Sequence, residues 1–377
     1  MHRHSGFVRA CAGALVLLLA ACGPAHGPGP GGGNGGGGGG GPRTVHLRGT
    51  AYEFGRVHTL LAGATIRVAE DPDLQTVVAA DGTYDLEVPD RRPVTPYIEA
   101  AGYHAIHLQT FTPAGEDLEH VNFQTPSEAI YQALVAIVGL ELGADGNPQQ
   151  CAIVSTFSTR NVRGVSYEEF IGYGAHGVPG ATASAEPALA PPIYFNEQVI
   201  PDPTRTESSV DGGVAWIEVP AGTYTITADH PTTEFAPFTA TCEPGRVVNA
   251  NPSWGLHELG LPMPATPAAT WSAVRGERVL DALTLADVPE GATVTLRCMG
   301  AGCPLSTLAG PVPTGTVDVL AELGVASPAF RPGNTVTLQI DAPAHDSRVT
   351  EWQVGRSDQP RATTLCVPLG LSRPQPC

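Results

Sequence analysis

Asp81-Gly82-Thr83-Tyr84-Asp85-Leu86-Glu87-Val88-Pro89 alternates polar and apolar residues from Thr83 to Val88. A period of two puts Tyr84, Leu86 and Val88 on one face, the pattern of a half-buried strand. Asp81-Gly82 tolerates positive φ and is the turn chemistry of a β-hairpin. Pro89 cannot donate to a ladder and ends the strand. Working outward, Val45-His46-Leu47-Arg48-Gly49-Thr50 and Ala64-Thr65-Ile66-Arg67-Val68 alternate too. Turn residues punctuate these runs at the spacing of about 8–12 residues that marks a sandwich.

Together with Gly49-Thr50-Ala51-Tyr52, Leu61-Ala62-Gly63-Ala64 and Ala101-Gly102-Tyr103, this segment resembles the carboxypeptidase regulatory-like domain. The resemblance covers residues 44–124. It implies a transthyretin-like β-sandwich. In the metallocarboxypeptidases that gave the domain its name, this module accompanies a separate catalytic domain, so no activity comes with it.

The same landmarks recur downstream. Gly180-Ala181-Thr182 answers Gly63-Ala64-Thr65, and Asp211-Gly212 answers Asp81-Gly82. Val219-Pro220 answers Val88-Pro89, and Val248-Asn249 answers Val121-Asn122. One Pro-rich insertion, 187–206, accounts for most of the change in offset. The expectation is a second, similar sandwich over residues 150–260, Ig-like or transthyretin-like. Residues 125–149 join the two. There Thr125-Pro126-Ser127-Glu128 reads as a capping box. Ile130, Leu134, Ile137 and Val138 form one apolar stripe, and Gly139 is the expected stop. The stripe predicts packing against a sandwich rather than a partner helix. Ser166-Tyr167-Glu168-Glu169 opens a shorter helix.

A Pro-rich joint, 261–269, is expected as a semi-rigid spacer. The third module, 270–377, alternates through Thr293-Val294-Thr295-Leu296-Arg297-Cys298, Thr335-Val336-Thr337-Leu338-Gln339-Ile340 and Val349-Thr350-Glu351-Trp352-Gln353-Val354. With Gly302-Cys303-Pro304 and Cys366-Val367-Pro368 it resembles a C-terminal module recurrent in secreted bacterial proteins. The fold class expected for the whole is mostly β: two tandem sandwiches joined by a short helix, plus a disulfide-containing β module.

The N-terminus is an address. A short basic region precedes an apolar run too short to span a bilayer, which needs about 20 residues. The run ends in Leu19-Ala20-Ala21-Cys22, which resembles the bacterial lipobox. That resemblance implies a signal peptide over 1–21, removed ahead of Cys22, and lipid on the Cys22 sulfur. Gly23 follows, where an Asp in such lipoproteins favours the inner membrane, so outer membrane or cell surface is expected. Residues 22–43 are the tether, with 13 Gly and 4 Pro between positions 23 and 42. Such a stretch buries too little apolar surface to offset chain entropy. It is expected to span about 25 Å as a coil.

Cys11 leaves with the signal and Cys22 takes lipid. Cys151, Cys242, Cys298, Cys303, Cys366 and Cys377 remain, an even set in an exported chain, which reads as disulfides. Six cysteines allow 15 pairings. Module boundaries favour Cys151–Cys242, Cys298–Cys303 and Cys366–Cys377. A Cys₄ zinc site from the last four is the rival, disfavoured by the oxidising compartment and by its spacing.

Composition excludes several chemistries. All 20 basic residues are arginine, against 37 acids and a net charge of −17. Without lysine there is no phosphate-loop lysine and no Schiff base. The acidic balance argues against nucleic acid as a partner. No histidine is followed by Glu three residues later, His257-Glu258 lacks a second histidine, and no Gly-x-Ser-x-Gly elbow occurs. His104 and His107 would face opposite sides of one strand. Asp71, Asp73 and Asp81 read as turn acids before they read as calcium ligands. Trp216, Trp254, Trp271 and Trp352 are too scattered to announce a sugar platform.

No catalytic residue, metal or cofactor is therefore expected. The reading is an exported, lipid-anchored envelope protein with a structural, scaffolding or adhesive role. Its partners would be the membrane, through the lipid, and an envelope protein or glycan. The alternative is a module for envelope or environmental glycans, and a third is an unrecognised hydrolase.

Overall fold

The computed structural model describes residues 43–250 and 252–377. Leu19, Ala20, Ala21 and Cys22, with the signal peptide and the tether through residue 42, lie outside the described residues. The chain is mostly β.

The first half contains β1 (Thr44–Glu53), β2 (Arg56–Leu60), β3 (Thr65–Val68), β4 (Asp71–Val77), β5 (Thr83–Pro89), β6 (Pro96–Glu99), β7 (Ile106–His107) and β8 (Phe123–Thr125), then α1 (Glu128–Val138). β1 pairs antiparallel with β5 along its length, from Thr44↔Pro89 to Thr50↔Thr83. Its far end pairs parallel with β8. The alternation read in β5 is seen directly: Tyr84, Leu86 and Val88 are buried, and Thr83, Asp85 and Glu87 are exposed. Gly49 in β1 lies where the backbone of Val121 crosses. A Cβ there would sit 2.1 Å from the Val121 carbonyl oxygen, so the close approach requires glycine.

The second half contains β9 (Cys151–Thr156), α2 (Tyr167–Phe170), β10 (Thr182–Glu186), β11 (Ile193–Phe195), β12 (Pro201–Asp202), β13 (Gly213–Val219), β14 (Gly222–Asp229), β15 (Phe238–Cys242) and β16 (Val247–Ala250). Its pairing follows the first half. β9 pairs antiparallel with β13 and parallel with β16, as β1 does with β5 and β8. The two halves share one sheet, in the order β12-β11-β13-β9-β16-β7-β6-β3-β4. Its central link is the parallel pairing of β16 with β7 at Val248↔His107.

The third region contains β17 (Thr266–Val274), β18 (Glu277–Val288), β19 (Thr293–Met299), β20 (Thr307–Pro311), β21 (Gly315–Asp318), α3 (Val319–Glu322), β22 (Ala329–Phe330), β23 (Thr335–Asp341), β24 (Ser347–Gln353) and β25 (Arg361–Val367). One sheet is β17-β18-β21, with β22 also on β18; the other is β20-β19-β23-β24-β25. Leu283, Leu285, Leu296, Phe330, Leu338 and Ile340 fill the space between them. Cys151 is bonded to Cys242, Cys298 to Cys303 and Cys366 to Cys377.

Three local expectations need correction. Asp81-Gly82 is not a hairpin turn. β4 pairs with β3 and β5 with β1, so the turn crosses from one sheet to the other. Gly82 has φ +80 and Asp81 Oδ1 accepts from Thr83 N at 3.1 Å; this chemistry serves a corner as well as a hairpin.

The cap of α1 is Ser127, not Thr125, and Ser127 makes no side-chain capping bond. Thr125 is instead the buried last residue of β8. Gly139 does end the helix, at φ 72, donating to Val135 O. The helix buries Tyr131 and Val135, while Ile137 of the expected stripe is 48% exposed. Ser166 and Glu169 do form a capping box on α2.

The Pro-rich joint is not a spacer. Met263 and Ala265 are buried in the third core, Leu261 N donates to Ala344 O at 2.9 Å, and Thr266 already opens β17.

Candidate functional site

Residues singled out in the sequence lie apart. His104 stacks on Tyr131 of α1, and His107 stacks on Tyr97 of β6. Asp71 and Asp73 are not turn acids but open strand β4, where Asp71 Oδ1 accepts from Asp73 N at 3.3 Å. Trp216, Trp271 and Trp352 are buried in cores, so they offer no face to a sugar. Among the described residues no group of three or more His, Cys, Asp or Glu is placed to hold a metal ion.

A polar cleft of about 500 Å³ opens beside β1, lined in part by Arg48, Asp85, Glu119, His120 and Tyr167. Arg48 Nε donates to Asp85 Oδ2 at 2.8 Å. Its Nη1 donates to Asp117 Oδ2 at 3.0 Å and to Glu119 Oε1 at 2.7 Å. Asp85 and then Glu119 raise the guanidinium's pKa above its ordinary value. Three carboxylates around one cation leave the cleft acidic, and the cation's Nε and Nη1 are committed to them.

A second cavity, about 90 Å³, lies under α1 against the shared sheet, lined by Tyr131, Leu134, Val138, Val154 and Trp216 among others. It is smaller than the apolar cavity of about 150 Å³ that admits benzene. We read it as a void left because α1 seats on Tyr131 and Val135 rather than on the full stripe.

The most built polar site is a seam where the end of the chain meets the first two sandwiches. Arg163 follows a one-turn 3-10 helix, Arg160–Val162, and is 4% exposed. Its Nη1 donates to Ser253 O at 2.7 Å and its Nε to Leu369 O at 3.3 Å. The guanidinium lies 3.8 Å from the centre of the Trp254 ring, which meets Phe111 edge-on. Burial pulls its pKa down, and only Glu116 opposes this. Holding a cation in such a place is costly unless its donors and the ring face satisfy it. The neighbouring carboxylate Glu116 accepts from Ser372 N at 2.8 Å and Arg373 N at 2.9 Å. Trp254 Nε1 donates to Glu119 O at 3.0 Å. Sequence reading missed Arg163. An arginine beside a glycine in a loop carries no periodic signal, and its partners lie as far as 206 positions away.

Buried histidines give the fold a pH dependence. Burial, then Arg163, push His257 down to about 3. Burial, then Arg246, push His107 down to about 4. A folded pKa below the ordinary 6.5 means that the unfolded chain binds more protons across the interval between them. Stability is expected to be fully present above that interval and to fall on acidification. The loss is up to about 1.4 kcal/mol per pH unit for each histidine. Urea midpoints at neutral pH and near about pH 5 check this, and equal midpoints would refute it.

No family model matches the chain, and no curated protein matches it. Solved structures match it at low identity and low TM-score. The Bacillus anthracis TIE protein is 10% identical over 86% of this chain and 48% of its own, with a TM-score of 0.18; the chain thus spans about half of that protein. A streptococcal ancillary pilin is 8% identical over 86% of this chain and 95% of its own, with a TM-score of 0.18. The shaft pilin SpaA of Lactobacillus rhamnosus GG is 10% identical over 58% of this chain and 100% of its own, with a TM-score of 0.17. Likeness at this level assigns no role to any residue.

Proposed function

We propose that the chain is an exported, lipid-anchored envelope protein with a non-catalytic structural, scaffolding or adhesive role. The observation that carries this reading is the seam. Its one deeply buried cation, Arg163, directs Nη1 and Nε to Ser253 and Leu369 of the same chain, as a part does that fixes geometry rather than turns over a substrate. The disulfides and the shared sheet support the same reading. The export and anchoring part rests on the sequence around Cys22.

Cys22→Ser is expected to abolish incorporation of labelled palmitate and to move the protein from the membrane pellet to the soluble fraction. Unchanged labelling and pelleting would refute anchoring at that residue. Turnover of a peptide or glycan panel by the purified protein would overturn the non-catalytic reading. Retention on a glycan array would favour the accessory alternative, on a surface other than the buried tryptophans.

A further inference from the structure

Arginines far apart in sequence gather where the described residues begin. Arg43, the last residue of the tether, donates from Nη2 to Gly115 O at 2.9 Å. Its Nε lies 3.7 Å from Asp90 Oδ2, and Arg91 Nε lies at the same 3.7 Å from that oxygen. Arg373 donates from Nη1 to Ala114 O. A Cβ placed on Gly115 would sit 2.8 Å from Arg373 Nη1 and 3.5 Å from Arg43 Nη1, so both guanidiniums border one glycine. Arg92 adds a fourth exposed arginine beside Arg91.

Of the acids here, Asp90 and Glu116 are tied up within the fold, and Asp117, its side chain 41% exposed, is paired with Arg48. Asp90 has a side chain 3% exposed and accepts from Gly115 N at 2.7 Å. Glu116 is occupied by the backbone of Ser372 and Arg373. By contrast, the side chains of Arg43 and Arg91 are 66% and 71% exposed. Four exposed arginines, Arg43, Arg91, Arg92 and Arg373, thus outnumber the two carboxylates among them, Asp90 and Glu116, on a chain whose net charge is −17. Screening over about 8 Å at physiological salt lets such a patch act apart from distant charges.

We propose that Arg43, Arg91, Arg92 and Arg373 form a docking surface for the anionic phospholipid headgroups of the bilayer that carries the anchor. This deepens the anchored reading and rests on it. The occupant follows from position and charge. Residues 23–42 lie between the lipidated cysteine and Arg43, and a chain of that length reaches at most about 75 Å. The patch is thus held close to a phosphate-bearing surface, at a high effective concentration. Exposed guanidiniums are suited to phosphate oxygens. Each basic residue near an anionic surface strengthens its attraction roughly fivefold.

The test uses the full lipoprotein on phosphatidylcholine vesicles, with or without about one-third phosphatidylglycerol, read by amide hydrogen exchange. Exchange at 90–92 and 114–117 is expected to slow on the anionic vesicles alone. The difference should vanish in about 1 M salt, where the screening length is about 3 Å. It should fall roughly 25-fold in an Arg91→Gln, Arg92→Gln variant, which leaves the backbone bonds of the loop in place. Equal exchange on both vesicles, or an effect untouched by the variant, overturns the proposal. Intact mass reports acylation separately. A chain without acyl mass refutes anchoring, and the same comparison is then made with a histidine tag in place of Cys22 on nickel-chelating lipid. Slowed exchange there supports the docking surface by itself, and its absence refutes it.

Discussion

Replacing Cys151 and Cys242 together by alanine is expected to lower stability by about 4–5 kcal/mol. The bond closes a loop of sequence separation 91, against 5 for Cys298–Cys303 and 11 for Cys366–Cys377. Loop entropy grows with the logarithm of length, so the short loops are expected to contribute about 2–3 kcal/mol each. Position adds to length. Cys151 opens β9, which carries β13 on one side and β16 on the other. Cys242 ends β15, in the opposite sheet of the same sandwich. The bond therefore pins two sheets together across a core where both cysteines are buried. Alanine is the right substitute, because a serine hydroxyl there would be buried without a partner. Urea unfolding of the three double variants checks the ranking. A Cys151/Cys242 variant as stable as the other two would overturn it.

Arg163→Ala is expected to cost about 3 kcal/mol and to release the end of the chain from the seam. Hydrogen bonds to a charged group contribute about 1.5–3 kcal/mol, and a desolvated cation over an aromatic ring about 2. The desolvation cost of the cation, removed with it, offsets part of this. Arg163→Met keeps the volume against Trp254 and removes the charge that burial penalises, so a smaller loss is expected. Arg163→Lys keeps the charge but cannot present the planar fork that reaches both Ser253 O and Leu369 O. The distinguishing measurement is local. Amide exchange at 369–373 should accelerate in the alanine variant while the cores of the first and third regions keep their protection. Unchanged exchange there would mean that Glu116, through Ser372 and Arg373, holds the end of the chain alone.

Much of the strand content was legible because half-buried strands write a period of two, as Tyr84, Leu86 and Val88 do. The cysteine pairs were legible because region boundaries left few sensible partners. What was hidden is whatever depends on which strands meet. Asp81-Gly82 has the same φ requirement at a corner as in a hairpin, so the turn did not reveal that β4 and β5 lie in different sheets. The α1 stripe named the apolar arc, but docking chose its Tyr131–Val135 edge, leaving Ile137 out. The arginine patch was invisible for a related reason. Arg43 and Arg373 meet at loop 113–117, and Arg43 meets Arg91 across Asp90, while overall composition reports a strongly acidic chain.

The shared sheet also sets an order of events. β7 finds its second neighbour in β16, about 140 positions later in the chain. A polypeptide made from its N-terminus thus presents β7 as an open strand edge until residues 247–250 arrive. Pairing over such a separation is slow, and an open edge is where chains pair wrongly with one another. The interval between the two strands is therefore the vulnerable time in this protein's biogenesis. Truncations that stop short of β16 should aggregate, whereas those that end just after it should not.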